Sequence, residues 1–217
     1  MTAGSLTVPT VVFDVDGTLL DSADGILAGF QHALRAGGVP VPGRSELRVH
    51  LGPPLREFLV LSGVAPDRLE VAAQAYHDYY LREGLQQASP YAGVETLLGS
   101  LVERGAVLAT ATAKRTTTAR AIIAAHGLSD YFTVIGGTDE RRTTKAQTIA
   151  GVLAELDADP TATIMVGDRH HDVDGAHAQG VRAIGALWGY GVGDELRAAG
   201  ADWLARDVAE CGRLLGL

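Results

Sequence analysis

The segment Thr10-Val11-Val12-Phe13-Asp14-Val15-Asp16-Gly17-Thr18 changes character at its middle. Its first four residues are β-branched or aromatic and stop at a carboxylate, the pattern of a short buried strand. Side chains at i and i+2 of an extended chain face the same way, so Asp14 and Asp16 project together from the strand's carboxyl end. In open parallel sheets that edge is where ligands bind. Two adjacent carboxylates repel, so the pair needs a cation, a shared proton or separate roles. Taken alone, Asp16-Gly17 is first a turn signal, and the motif then reads as a polar strand-to-turn transition.

Working outward, Ala106–Thr112, Phe132–Ile135 and Ala162–Val166 read as further buried strands, with Arg182–Leu187 and Ala201–Leu204 as weaker ones. Between them run helical stripes. Val94, Leu97, Leu98, Leu101 and Val102 form one, Ala119, Ile122 and Ile123 a second, and Ile149, Val152, Leu153 and Leu156 a third. Strands alternating with helices predict an α/β fold, a doubly wound parallel sheet with a Rossmann-like core. Residues 21–90 differ. They lack a clear strand and carry helical stripes such as Ile26, Leu27, Phe30 and Leu34, then Leu69–Leu85 with Tyr76, Tyr79 and Tyr80. This predicts a helical insert, with residues 1–20 and 91–217 forming the α/β core.

The chain has 217 residues, with 18 Lys and Arg against 26 Asp and Glu, for a net charge of −8. That excess of acid argues against a nucleic-acid or anionic-membrane partner, which would require a basic face. No apolar run approaches the roughly 20 residues of a membrane span. Met1–Phe13 lacks the basic start of a secretory signal, so a cytoplasmic location is expected. Cys211 is the single cysteine, which excludes an internal disulfide framework and predicts a small buried hydrophobe. Only Lys114 and Lys145 supply ammonium groups; the other sixteen basic residues are arginines.

Three strand ends carry matching chemistry. Gly167-Asp168 closes another predicted strand, and Asp172 follows four residues later. If Asp14, Asp16, Asp168 and Asp172 converge, they make an oxygen-rich site suited to Mg²⁺, which prefers hard carboxylate ligands. Thr112 brings a hydroxyl to the same edge, and Lys145 opens a predicted helix with a cation. Such a set is arranged for phosphoryl transfer, with donors offsetting phosphate charge while a carboxylate attacks phosphorus. Thr110, on the same strand face, competes with Thr112. Lys114 competes with Lys145 but is expected on the surface of the following helix.

At this point the chain resembles the haloacid dehalogenase superfamily in its phosphatase form. Asp14 to Ser22 match the first motif, and Thr112, Lys145 and Gly167-Asp168-x-x-x-Asp172 follow in the order of the other three. The insert resembles that superfamily's small helical cap, and similarity is greatest to phosphoglycolate phosphatase-like and 5′-nucleotidase-like members. The resemblance implies that Asp14 is the nucleophile, forming an aspartyl-phosphate, and that Asp16 is the general acid and base. It implies that Mg²⁺ is held by Asp14, Asp168 and the Asp16 carbonyl, with Asp172 binding directly, through water or from behind. Thr112 and Lys145 would hold the phosphoryl group, and backbone N–H groups of Val15, Asp16, Gly17 and Ala113 would complete its cradle. The implied substrate is a small phosphorylated metabolite. The chain departs from the family pattern at Ala113 and Ala146, where asparagine and proline are common. Oligomeric state has no signature in the sequence.

Other chemistries are weighed on single residues. A phosphonate-cleaving relative needs a cap lysine, and residues 21–89 contain none. A dehalogenase has no use for an acid–base at Asp16. A sugar-phosphate mutase on the same core stays open, as does a receiver-like or catalytically silent phosphate-binding module. The receiver reading leaves both Asp16 and the insert without a purpose. His170 and His171 are expected as exposed loop residues with diverging side chains. Arg48, His50 and Arg56 are candidate substrate contacts, or else solvated charges. Trp188-Gly189-Tyr190-Gly191 is a candidate loop near the site.

Overall fold

The computed structural model describes residues 10–217; the first nine residues of the expected core segment 1–20 lie outside that range. The described residues open with β1 (Thr10–Phe13) and β2 (Leu20–Asp21), then pass through α1 (Ala23–Gly37), α2 (Arg44–Leu47), α3 (Leu55–Leu61) and α4 (Leu69–Arg82) to β3 (Ser89–Pro90). From there strands and helices alternate. The order is α5 (Val94–Glu103), β4 (Val107–Arg115), α6 (Thr116–Ala125), β5 (Val134–Thr138), α7 (Lys145–Leu156) and β6 (Thr163–Gly167). Then come α8 (His170–His177), β7 (Arg182–Ala186), α9 (Gly193–Ala198), β8 (Trp203–Ala205) and α10 (Val208–Leu214). Backbone contacts divide the chain into two units, Asp21–Ser89 and the remainder.

In the larger unit six strands form one parallel sheet in the order β5-β4-β1-β6-β7-β8. The chain leaves β1 toward β4 and β5, then returns to the other side of β1 for β6, β7 and β8. The order therefore reverses at β1, the position where doubly wound sheets open a crevice beyond their strand ends. Register sets what reaches that crevice. Phe13 lies beside Thr110 on one side and Val166 on the other. Asp14 and Asp168 thus emerge just past the paired residues, and the Asp14 N–H still bonds the Val166 carbonyl at 2.9 Å.

Both faces of the sheet are covered, so the strands read as continuous apolar runs. On one face Val12, Ala109, Ala111, Met165 and Ala183 pack with Ile149, Val152 and Leu153 of α7, Val173 and Ala176 of α8, and Leu196 of α9. Val11, Phe13, Leu108, Ile164, Val166 and Ile184 alternate with them and are also buried. Helices α5 and α6 lie along β4, while α10 lies along β8 and α5. Each fully buried branched or aromatic side chain contributes roughly 1.5–3 kcal/mol. Cys211, in α10, is buried, and that burial pushes its thiol pKa up to about 12.

The smaller unit is built on α1 against α4, with α3 beside α4. Phe30 stacks on Phe58 at a ring separation of 3.9 Å, and Tyr76 stacks on Tyr80 at 5.6 Å. Tyr76, Tyr79 and Tyr80 are all buried, so this aromatic series is core packing. Two of the candidate substrate contacts are engaged within this unit. Arg56 pairs with Glu70 at 3.2 Å in an exposed position, and the His50 ring lies 5.3 Å from Phe58.

Several boundaries differ from expectation. The segment read as lacking strands is flanked by β2 and β3, which pair as a ribbon of two residues each; two residues are too few for any periodicity. The strand expected at Phe132–Ile135 runs from Val134 to Thr138. Its Gly136 and Gly137 carry no β-propensity of their own and are drafted in by pairing with β4. The strand expected to stop at Thr112 continues through Arg115, with a register shift between Ala111 and Arg115.

Candidate active site

The carboxyl ends of β1, β4 and β6 deliver three of the site's side chains, and the starts of α7 and α8 deliver two more. Lys145 is the first residue of α7, so its position depends on how that helix begins. Thr144 caps it, accepting from the Gln147 N–H at 3.2 Å, while Gln147 Oε1 accepts from the Thr144 N–H at 3.2 Å. This reciprocal capping box satisfies otherwise orphaned donors and fixes the helix start. Asp172 lies in the first turn of α8, where its Oδ2 accepts from the Arg169 N–H at 3.1 Å.

These restraints bring Lys145 Nζ to 2.9 Å from Asp14 Oδ1, 2.7 Å from Asp172 Oδ1 and 2.8 Å from the Ala111 carbonyl. An ammonium has three N–H donors, and three acceptors surround this one. Asp14, Asp168 and Asp172 each present an oxygen such that all three lie within 4.8 Å of one another, and all three residues are buried. Burial pushes the Asp14 carboxyl up to about 7, because the opposing pull of Lys145 is partly cancelled by Asp172 and Asp16. Burial likewise raises Asp168 well above the usual carboxylate range. Burial alone would lower Lys145, but Asp14 and Asp172 outweigh it and hold the ammonium charged.

Asp16 stands apart from this trio. Its Oδ2 lies 3.0 Å from Lys114 Nζ, and both side chains are largely buried. The expectation that Lys114 rides on the surface of the next helix is therefore incorrect. Because β4 runs on to Arg115, Lys114 extends from the strand two residues beyond Thr112 and reaches the site. Alternation along the strand is the signal that would have found it. The expected convergence of four side-chain carboxylates resolves into a group of three, two of them paired with Lys145, and one paired with Lys114.

Thr112 is buried, and its Oγ1 accepts from the Lys114 N–H at 3.3 Å. Its competitor Thr110 spends its hydroxyl on the Gly136 carbonyl at 3.2 Å, inside the sheet. The Ala113 carbonyl accepts from Thr138 Oγ1 at 3.3 Å, which braces the end of β4. Val15 is fully buried, and its carbonyl accepts from the N–H groups of Thr18, Leu19 and Leu20. The Gly17 N–H donates to the Leu20 carbonyl at 2.8 Å, so it is committed to the turn rather than offered to a phosphate. Gly17 is needed for another reason. Its φ is +76°, and a Cβ there would lie 2.7 Å from the Asp168 carboxyl carbon.

The Trp188–Gly191 loop forms part of the same site. Tyr190 and Gly191 donate their N–H groups to Asp168 Oδ2 at 2.7 and 3.3 Å, and Trp188 Nε1 donates to the Thr18 carbonyl at 3.0 Å. Because it follows β7, this loop sits at the same edge of the sheet as β1 and β6. His170 and His171 do not lie in a loop with diverging rings. They open α8 with ring centroids 3.7 Å apart, and His170 Nδ1 lies 2.7 Å from Glu195 Oε1.

The donor set suits one kind of metal. Three buried carboxylates offer only hard oxygen ligands, the preference of Mg²⁺ rather than of softer transition metals. Charge points the same way. Four acids, Asp14, Asp16, Asp168 and Asp172, stand against the two ammonium groups of Lys114 and Lys145, a deficit that one divalent cation would cancel.

Residues 11–186 match the family of haloacid dehalogenase-like hydrolases. The chain belongs to that family. It is 43% identical over 187 residues to the tyrosine-protein kinase PtkA of Mycobacterium tuberculosis, a match covering 85% of this chain and 64% of that relative. The chain thus spans less than two thirds of the length of this relative. It is 34% identical over 218 residues to a 5′-nucleotidase of Pseudomonas aeruginosa, covering 99% of both chains. Among solved structures, a Clostridium acetobutylicum protein described as a predicted phosphatase superposes with a TM-score of 0.90 at 33% identity, covering 95% of this chain and 97% of that one. No helix among the described residues is long and apolar enough to cross a membrane.

Proposed function

We propose that this chain is a Mg²⁺-dependent phosphatase that hydrolyses a small phosphate monoester through an aspartyl-phosphate on Asp14. The observation that carries the reading is the buried Asp14 carboxylate at the end of β1, 2.9 Å from Lys145 and grouped with Asp168 and Asp172. Relatives named 5′-nucleotidase and phosphoglycolate phosphatase support it. Asp21–Ser89 takes the part of the helical cap, and a cytoplasmic site of action belongs to the same proposal.

In the first step an Asp14 oxygen attacks phosphorus, the ester P–O bond breaks, and the departing oxygen takes a proton from Asp16. In the second, water attacks phosphorus and gives a proton to Asp16, and the bond to Asp14 breaks. The products are alcohol and inorganic phosphate, with both carboxyl groups returned to their starting forms. Lys145 and Thr112 hold the equatorial oxygens, and the Lys145 ammonium keeps Asp14 aimed. Mg²⁺, held by Asp14, Asp168, the Asp16 carbonyl and Asp172, would offset phosphate charge and the mutual repulsion of these acids.

The test is phosphate release from a panel of monoesters, with and without EDTA, for wild type and Asp14→Asn. Release by wild type that falls to background in the mutant is expected; full activity in the mutant refutes the assignment. A second reading is favoured by the 43% identity to a protein named as a tyrosine kinase. There the phosphoryl group would pass from a nucleotide to a tyrosine hydroxyl. Incubation with γ-labelled ATP and a tyrosine-containing protein separates the two, since label in tyrosine rather than in free phosphate supports the kinase reading.

A further inference from the structure

The chain uses lysine twice, and both lysines are in the site, yet the reaction outlined above assigns a task only to Lys145. Lys145 is engaged with Asp14, Asp172 and the Ala111 carbonyl, whereas Asp16 is paired with the other lysine. Once it has given up its proton, Asp16 is a carboxylate beside the other acids of the site, whose repulsion would swing its side chain away. Lys114 Nζ stands 3.0 Å from Asp16 Oδ2, with the lysine side chain 7% exposed and the aspartate 14%.

The backbone that carries Lys114 is held on both sides. Its N–H bonds Thr112 Oγ1, so the proposed phosphate-holding hydroxyl and Lys114 are fixed together. Thr138 Oγ1 donates to the Ala113 carbonyl, and Thr116 Oγ1 donates to the Thr138 carbonyl. The next strand approaches so closely that a Cβ at Gly137 would lie 2.5 Å from the Lys114 carbonyl oxygen. A flexible ammonium on a braced strand end is a directed charge rather than a solvated one.

We propose that Lys114 is a positioning residue for phosphoryl transfer. It holds the Asp16 carboxyl group where that group reaches first the leaving oxygen and then the attacking water. The inference rests on the phosphatase reading and on the acid–base role of Asp16 within it. Its consequence is selective. An alkoxide leaving group depends on proton donation, whereas 4-nitrophenolate leaves without it, so displacing Asp16 slows transfer from alkyl esters far more than from aryl ones.

The experiment measures kcat/KM, which reports transfer to Asp14, for 4-nitrophenyl phosphate and for the best alkyl monoester of the panel. Wild type, Lys114→Met, Lys114→Arg, Asp16→Asn and the Lys114→Met/Asp16→Asn double variant are compared, with melting temperatures as folding controls. Lys114→Met is expected to lose about 10²-fold on the alkyl ester and less than about 5-fold on the aryl one. Lys114→Arg should recover part of the alkyl loss. In the Asp16→Asn background Lys114→Met should cost little more, because both changes remove one coupled unit. If Lys114→Met does not fold, Lys114→Gln, which keeps a donor without charge, is read on the same two esters. Equal losses on both esters, additive losses in the double variant, or weakened inhibition by inorganic phosphate would overturn the proposal. No phosphate release by wild type from any ester would instead remove the phosphatase reading, and this inference with it.

Discussion

Substituting Gly189 by alanine tests whether the Trp188–Gly191 loop is part of the metal site or only adjacent to it. A Cβ at this position would fall inside van der Waals contact of the Gly17 carbonyl oxygen and of Asp168 Cβ, and within 2.6 Å of Asp168 Oδ2. The first two atoms cannot swing aside, and the third is held by the N–H groups of Tyr190 and Gly191. Two responses are open to the protein. If the loop stays, overpacking costs about 1–3 kcal/mol. If it moves, Asp168 loses donors from Tyr190 and Gly191, and a hydrogen bond to a charged group contributes about 1.5–3 kcal/mol. The overpacking route is the cheaper, at about 2 kcal/mol against about 3–6 for two lost bonds, and at about 2–4 °C per kcal/mol for a chain of this size the Tm falls by at least about 4–8 °C.

Function should suffer more than stability, because a misplacement of about 1 Å in a catalytic constellation costs about 10²-fold. Differential scanning fluorimetry reads the first effect. Isothermal titration with Mg²⁺ reads the second without involving turnover. Gly193→Ala is the control, since its Cβ would meet only side-chain atoms, at 3.2 Å or beyond. A Gly189→Ala protein with wild-type Tm and wild-type Mg²⁺ affinity would refute the reasoning.

Three further outcomes are expected. Thr144→Ala removes the cap that sets the start of α7 and should cost about 1 kcal/mol in thermal unfolding, with lower kcat from a loosened Lys145; unchanged values in both would count against it. Mg²⁺ at about 100 times its Kd should raise stability by about 2.7 kcal/mol, reversed by EDTA, and a Tm insensitive to Mg²⁺ would deny the site. Burial disfavours the Glu195 charge, but donors from His170 and Arg169 outweigh it and lower its pKa from 4.5 to about 2. A lowered carboxyl pKa stabilises above the unfolded value, so its contribution is intact above pH 4.5 and lost as pH falls toward 2. The Tm gap between wild type and Glu195→Gln should narrow over that window; a constant gap would exclude the linkage.

Much of the fold is legible where local chemistry and tertiary demand agree. Val11, Val12 and Phe13 are β-formers that end up in the central strand, and the Ile149–Leu153 stripe of α7 does pack on the sheet. Legibility fails where pairing overrides propensity. Gly136 and Gly137 have no strand preference yet complete β5, and Ala113-Lys114-Arg115 continue β4 although the apolar run has ended. The histidine pair misleads for a different reason. Adjacent side chains in a loop are expected to diverge, but the Arg169 N–H bonded to Asp172 starts a helix there, and Glu195 gathers the His170 ring.

The sequence alone determined the strand-end aspartates and the helix-borne Lys145. Extended geometry places i and i+2 side chains together, and strand ends recur as the ligand edge of parallel sheets. Tertiary structure decided how the charges are partnered. Asp14 and Asp172 share Lys145, Asp16 takes Lys114, and Asp168 is held by backbone N–H groups of a loop more than twenty residues further along. Those pairings depend on the register of β1 with β4 and β6 and on the shift within β4. A displacement of one residue along a strand turns its side chains to the opposite face, and no local pattern records it.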